Sequence, residues 1–271
     1  MKEHPFAQLQ RLVVAPAQFH DRQIVLTPEQ QHYLNRVLRL QVGDRFVVMN
    51  GCGQGWLAEL LPLEAVKGYQ AQLLEAIAMD TELPIHLTLV AALPKGNGFD
   101  EVVRQATELG VSDIVPVISD RTLLQPSPQK RNRWRRIAQE AAEQSERQRV
   151  PRVVEPIMLT AYLHSLSSST RLNAAEVADH ATRRYLGVTR QVAPDLLACL
   201  LKEGEALQLR QIQEIVMAIG PEGGWSDAEV AQAIAVGFQP VSLGKRILRT
   251  VTAPLAAIAL IAAVLENEKG G

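Results

Sequence analysis

The chain has 271 residues, 47% of them hydrophobic and 21% charged, which is a folded composition with enough length for one large domain or two modest ones and excludes a disordered chain. Its net charge of −1 gives no overall attraction to nucleic acid, so any RNA contact must come from a local basic patch. Cys52 and Cys199 match no metal or redox spacing, the longest apolar run (residues 253–265) is short of the ~20 residues of a membrane span, and Met1-Lys2-Glu3-His4-Pro5 has no leader pattern, so a cytoplasmic protein without membrane attachment is expected.

From residue 9 to about residue 78 the pattern is β. Short apolar runs at 11–14, 24–26, 45–49, 56–61 and 69–76 are separated by turn residues at Gly43-Asp44 and Asn50-Gly51. One helix interrupts them, where Thr27-Pro28-Glu29-Gln30 supplies an N-cap, a proline at the first helical position and a glutamine three residues after the cap. A small barrel-like domain over residues 1–80 is expected, with Asp80-Thr81-Glu82 as linker.

Residues 81–271 follow a different rhythm. The apolar run 85–93 suits a parallel strand covered on both faces. Phe99, Val102, Val103, Ala106 and Leu109 have helical spacing, Gly110 is placed as the cap, and 111–118 reads as the next strand. Strand, helix, strand in that order predicts an α/β sheet, and the order recurs as strand 215–219, helix 227–235, strand 241–243 and an apolar C-terminal helix over 253–265. Residues 160–213 carry no clear pattern.

Two segments could carry chemistry. Ile219-Gly220-Pro221-Glu222-Gly223-Gly224-Trp225-Ser226 follows an apolar strand, and its glycines let backbone amides approach a ligand and supply positive φ. Ser226 and Glu229 form a capping box that starts the next helix, so strand end, glycine loop and helix start make a ligand-binding edge. This is neither the Rossmann fingerprint nor a Walker A loop. The second segment, 242–250, places apolar Leu243, Ile247 and Leu248 beside Gly244, where they could wall a flat heterocycle, while Lys245, Arg246 and Arg249 face something anionic. Thr252 is expected to cap the helix beyond, with Pro254 in its first turn.

Together the two segments resemble the paired cofactor loops of the RsmE-type 16S rRNA (uracil-N3)-methyltransferases, members of the knotted SPOUT class. Further similarity runs in order through Leu93-Pro94-Lys95-Gly96, Ala106-Thr107-Glu108-Leu109-Gly110-Val111, Ser119-Asp120-Arg121-Thr122, and Glu140-Ala141-Ala142-Glu143-Gln144-Ser145 with Arg147 and Val150-Pro151. Residues 32–39 with Gly43-Asp44 resemble the opening of the family's PUA-like barrel. The resemblance covers most of the chain and is poor over 160–213. It departs from the family at Val251, where many members carry Glu, at Tyr33, where many have His, and at Gln105, where many have Lys.

By that resemblance, the second domain would be an α/β fold with a parallel sheet whose C-terminal segment threads a trefoil knot, preceded by the PUA-like β-barrel. It likewise implies that S-adenosyl-L-methionine would be held in a bent form by Ile219, Gly220, Pro221, Gly223, Gly224, Leu243, Gly244, Ile247, Leu248 and Thr250. The active unit would be a homodimer, no metal would be involved, and the substrate would be 16S rRNA or the small ribosomal subunit. Arg249 would be the catalytic residue, its guanidinium stabilising the negative charge that uracil develops when N3 loses its proton. Glu222 stays open between base and structural carboxylate. RNA contacts are expected from Arg11, His32, Arg36 and Arg39 in the barrel, and from Lys95, Arg121 and Arg147 in the matching segments. Residues 130–136, with Lys130, Arg131, Arg133, Arg135 and Arg136, are either a further RNA contact or a solvated helix face. Val251 keeps a rival open, a non-catalytic RNA-binding ribosome-assembly factor of the same fold. The apolar circumference of helix 253–265 requires burial on every side, which a partner subunit would complete.

Overall fold

The computed structural model describes residues 6, 8–63, 68–122, 125–172, 182–205 and 211–267. The chain divides into two units: Met1–Glu82 with Ala142–Val150, and Leu83–Ala141 with Pro151–Gly271.

Unit 1 contains β1 (Arg11–Val13), β2 (Phe19–His20), β3 (Gln23–Val25), α1 (Pro28–His32), β4 (Arg45–Met49), β5 (Gly55–Pro62) and β6 (Tyr69–Ile77). Their sheet has the order β1-β4-β5-β6-β3-β2, antiparallel except for β1 beside β4. Phe19 on β2 and Trp56 on β5 have ring centroids 5.1 Å apart although two strands separate them in that order, so the sheet curls on itself. Alternation along β4 explains two cores: Phe46 and Val48 join Ala58, Leu60 and Ala71 on one face, while Val47 and Met49 join Leu57 and Ile77 on the other. Thr27 caps α1 through the reciprocal box with Gln30, and the helix runs on as a π-helical turn over Tyr33–Val37.

The segment Ala142–Val150 seals the second face of unit 1. Val150 packs on that core, and Glu143 accepts the Val13 backbone N–H at 2.8 Å. Arg11, 6% exposed in its side chain, pairs with Glu146 at 2.6 Å; Arg147, 2% exposed, pairs with Glu82 at 2.6 Å. Both guanidinium groups, expected at RNA, are engaged with carboxylates inside unit 1. A guanidinium enclosed with a carboxylate has no surface to offer a phosphate, and charge in a sequence does not distinguish the two situations.

Unit 2 contains β7 (His86–Ala92), α2 (Gly98–Glu108), β8 (Asp113–Ile118), α3 (Pro128–Gln144, its last residues counted in unit 1), β9 (Arg152–Val153), β10 (Ile157–Met158), α4 (Leu159–Leu172), β11 (Thr182–Gly187), α5 (Leu196–Glu205), β12 (Glu214–Ile219), α6 (Asp227–Ala235), β13 (Gln239–Val241) and α7 (Thr252–Asn267). The sheet order is β10-β8-β7-β12-β11-β13, with β9 on β8, and every pairing is parallel. Both faces are covered, which is why β7 and β12 are near-continuous apolar runs. Strand β11, between β12 and β13, and helices α4 and α5 lie in the stretch that the sequence pattern left unassigned.

The order β12-β11-β13 means that the connection through α6 passes over β11. Residues 242–251 then lead back from the sheet edge, because α7 packs on β12, α2 and α5. Helix α7 starts at Thr252, so that residue is its first helical position and not its cap; the Ala253 N–H donates to the Arg249 carbonyl at 2.8 Å. One face of α7 (Pro254, Ala257, Ile258, Ile261, Ala262, Leu265) is buried, while Leu255, Ala256, Leu260 and Val264 are half-buried and Ala259 and Ala263 exposed. The expectation of burial on every side therefore fails within a single chain.

Candidate active site

Strand register sets the site. Ala91 of β7 pairs with Ile219 of β12, Ile219 with Gly187 of β11, and Gly187 with Val241 of β13, so these strands end level and their loops leave along one edge. The loops enclose a cleft of about 950 Å³ lined by Pro94 and Lys95 after β7, Arg121 after β8, 188–191 after β11, 220–225 after β12, and 242–251 after β13. Ligands of open parallel sheets bind beyond the carboxyl ends of the strands, where this cleft lies.

Two carboxylates hold the loops together. Glu222 Oε1 accepts the Lys95 backbone N–H at 3.0 Å and the Thr250 hydroxyl at 3.4 Å. Glu229, only 3% exposed, accepts the Ser226 N–H at 2.7 Å and the Asp120 N–H at 2.9 Å, while the Ser226 hydroxyl donates to Asp120 at 2.7 Å. The predicted capping box thus also braces the loop after β8. Arg121 completes the tie by donating to the Gly223 carbonyl.

The glycines of the first loop have different jobs. A Cβ on Gly220 would lie 3.2 Å from the buried Trp225 ring and 3.3 Å from the Trp225 backbone nitrogen. Gly224 has φ +69°, where a side chain is strained. Gly223 has neither restriction, since its added Cβ would meet only the flexible Arg121 chain.

Every residue expected at the cofactor lines this cleft: Ile219, Gly220, Pro221, Gly223, Gly224, Leu243, Gly244, Ile247, Leu248 and Thr250, with Arg249 among them. Arg249 is exposed, with no hydrogen bond or ion pair to its guanidinium among the described residues. Lys95 and Arg121 also line the cleft, whereas His32, Arg36 and Arg39 are exposed on unit 1. The basic start of α3 is largely paired within the chain: Arg133 with Asp100 at 2.8 Å, Arg131 and Arg135 with Glu155, Arg136 with Glu140 at 2.8 Å, and Lys130 on the Gly96 carbonyl at 2.7 Å. Those pairs favour the solvated-face reading. Sequence reasoning missed residues 188–191, whose only signal is Gly187 after the short apolar pair Tyr185-Leu186.

The cleft suits a compact ligand that is part heterocycle and part zwitterion. Leu243, Ile247, Leu248 and Val188 supply apolar walls, and the close approach at Gly220 brings backbone to the surface of the cavity. These features fit S-adenosylmethionine.

An all-parallel α/β unit carrying such a cleft, joined to a curled β unit, defines a cofactor-dependent enzyme of the RNA methyltransferase class. Residues 81–262 match the RNA methyltransferase domain family model, and residues 26–65 match the RNA methyltransferase PUA domain. The chain is 48% identical over 262 residues to the ribosomal RNA small subunit methyltransferase E of Synechocystis sp., covering 97% of this chain and 80% of that protein. It is 30% identical to the Bacillus subtilis protein of the same name, over 90% of this chain and 91% of that one. A crystal structure of the Neisseria gonorrhoeae ribosomal RNA small subunit methyltransferase E bound to S-adenosyl methionine superposes with a TM-score of 0.77 at 30% identity, covering 94% of this chain and 98% of that one. The chain belongs to the ribosomal RNA small subunit methyltransferase E family.

Proposed function

We propose that this chain methylates N3 of a uridine in 16S ribosomal RNA with S-adenosylmethionine as donor, acting as a homodimer in the cytoplasm. The observation that carries the reading is the cleft in which the glycine loop, the return segment 242–251 and an exposed Arg249 meet. When bound, the cofactor supplies an electrophilic methyl on a sulfonium sulfur. The chain's residues do the rest. Backbone at Gly220 and Gly224 and the walls Leu243, Ile247 and Leu248 would hold the cofactor. Arg249 places its positive charge where the uracil oxygens gain negative charge as the N3 proton leaves to water, so the anionic nitrogen is available for in-line attack. Glu222 is engaged as a brace between loops.

A homodimer is supported by the half-exposed apolar face of α7, which a second copy would cover. The exposed Arg36 and Arg39 of unit 1 supply charge for RNA phosphates. The rival reading, a non-catalytic assembly factor, has Val251 in its favour: it lines the cleft and approaches Gly98 so closely that an added Cβ there would lie 2.9 Å from it. One experiment separates the two. Small subunits and naked 16S RNA lacking the modification are incubated with the chain and methyl-labelled cofactor, and the product is mapped by mass spectrometry. Label at N3 of one uridine is expected. Tight RNA binding without label would establish the assembly factor, and label on another atom would overturn the assignment of N3.

A further inference from the structure

The cleft carries more positive charge than its cofactor requires. Its lining includes Lys95, Arg121, Arg190, Lys245, Arg246 and Arg249 against only Glu222 and Asp227, in a chain whose overall charge is −1. S-adenosylmethionine is itself a net cation and does not account for that excess. A polyanion would balance it, and the polyanion of the proposed reaction is RNA.

Arg190 is the member of this set outside every motif. It stands in the loop after β11, exposed, with no hydrogen bond or ion pair to its side chain among the described residues. Its backbone has φ +60°, a conformation that favours glycine over arginine. The neighbouring Thr189 hydroxyl lies 3.8 Å from the position a side chain on Gly224 would first occupy, so the loop abuts the glycine turn. A residue held in a left-handed backbone, with no hydrogen bond or ion pair to its side chain among the described residues and a place on a cationic cleft, is better accounted for by its side chain than by the turn.

We infer that Arg190 is an RNA-phosphate contact at the rim of the cleft, gripping the backbone beside the target nucleotide and positioning it against the cofactor loops. The inference rests on the proposed methylation of RNA and adds to it a residue from a segment with no assigned role. Phosphate contacts fix register and carry a characteristic salt dependence, and removing one lowers the slope of log affinity against log salt by about 0.7 to 0.9.

The test compares the full chain with Arg190→Gln, Arg190→Gly and Arg190→Lys. The measurements are RNA affinity and KM for small-subunit RNA over a range of salt, together with the cofactor dissociation constant. Gln and Gly are each expected to raise KM by about tenfold at moderate salt and to reduce the salt slope by nearly one contact, with Lys close to the natural chain. Cofactor affinity should be unchanged in all. Glycine relieves the backbone, so a Gly variant equal to or better than the natural chain would show that only the turn matters and would overturn the inference. So would an unchanged salt slope in Arg190→Gln, or equal losses in RNA and cofactor affinity. Failure of the natural chain to methylate RNA would instead defeat the functional reading, and the binding slopes would still decide the role of Arg190.

Discussion

The Glu222 carboxylate and the Thr250 hydroxyl meet at 3.4 Å, and the same oxygen accepts the Lys95 backbone N–H at 3.0 Å. One exposed side chain therefore couples the ends of β7, β12 and β13, which are far apart in sequence. Glu222→Ala should cost about 1 kcal/mol of stability, the scale of a hydrogen bond exchanged with water, and weaken cofactor binding by about tenfold. Glu222→Gln keeps an acceptor and should retain most of the affinity. Calorimetric titration with S-adenosylmethionine measures this, and equal affinities for Ala and the natural chain would show that the brace does not shape the cofactor site.

The glycines of the first loop should not respond alike. Gly220→Ala pushes a methyl into the Trp225 ring and backbone, and Gly224→Ala forces a side chain onto left-handed backbone. Both should lose cofactor affinity by about tenfold or more, with about 1 kcal/mol of destabilisation at Gly224. Gly223→Ala meets only the movable Arg121 chain and should be mild. Thermal shift with and without cofactor ranks the three, and a Gly223 variant worse than the other two would contradict the geometry.

Arg249 should act on the chemical step. Arg249→Ala is expected to slow methyl transfer by on the order of 100-fold, the scale for losing one charge-stabilising donor, with little effect on cofactor affinity. Val251→Glu should change the rate little if proton loss to water suffices. Single-turnover assays on small-subunit RNA test both. A natural chain that is inactive until Val251 becomes Glu would reassign the proton acceptor.

Arg147 should matter for stability and not for RNA. Removing a guanidinium that is 2% exposed leaves Glu82 without its charged partner, and Arg147→Ala should cost about 3 kcal/mol, as for other broken buried pairs. Urea denaturation gives the number. A loss as small as that of a surface residue, together with weakened RNA binding, would restore the role first expected for it.

How much of the fold and the site was legible varied with how local the cause is. The helix Asp227–Ala235 is visible in sequence because its cap, box and periodicity lie within a few residues, and β7 and β12 because burial on both faces leaves them apolar throughout. Strand β11 was not legible. Its sequence, Thr182-Arg183-Arg184-Tyr185-Leu186-Gly187, buries only Tyr185 and Leu186, and it is a strand because β12 and β13 pair with it on either side. The loss of β11 hid residues 188–191 from the cleft. The pairing of Arg11 and Arg147 was not legible for a related reason, since Glu146 and Glu82 reach them from distant parts of the chain.

The seal on unit 1 has a consequence for how the protein is made. Ala142–Val150 supplies Glu143, Glu146 and Arg147 to the first unit, yet it is synthesised only after β7, α2, β8 and most of α3. The amino-terminal unit lacks these side chains when its own strands have left the ribosome exit tunnel. Arg11 is then without Glu146, and the core around Val47 and Met49 without Val150, while a large part of the second unit emerges at roughly 5–20 residues per second. A gene fragment ending at Glu82 would lack these contacts permanently, and a first unit cut from this protein should carry its later segment with it.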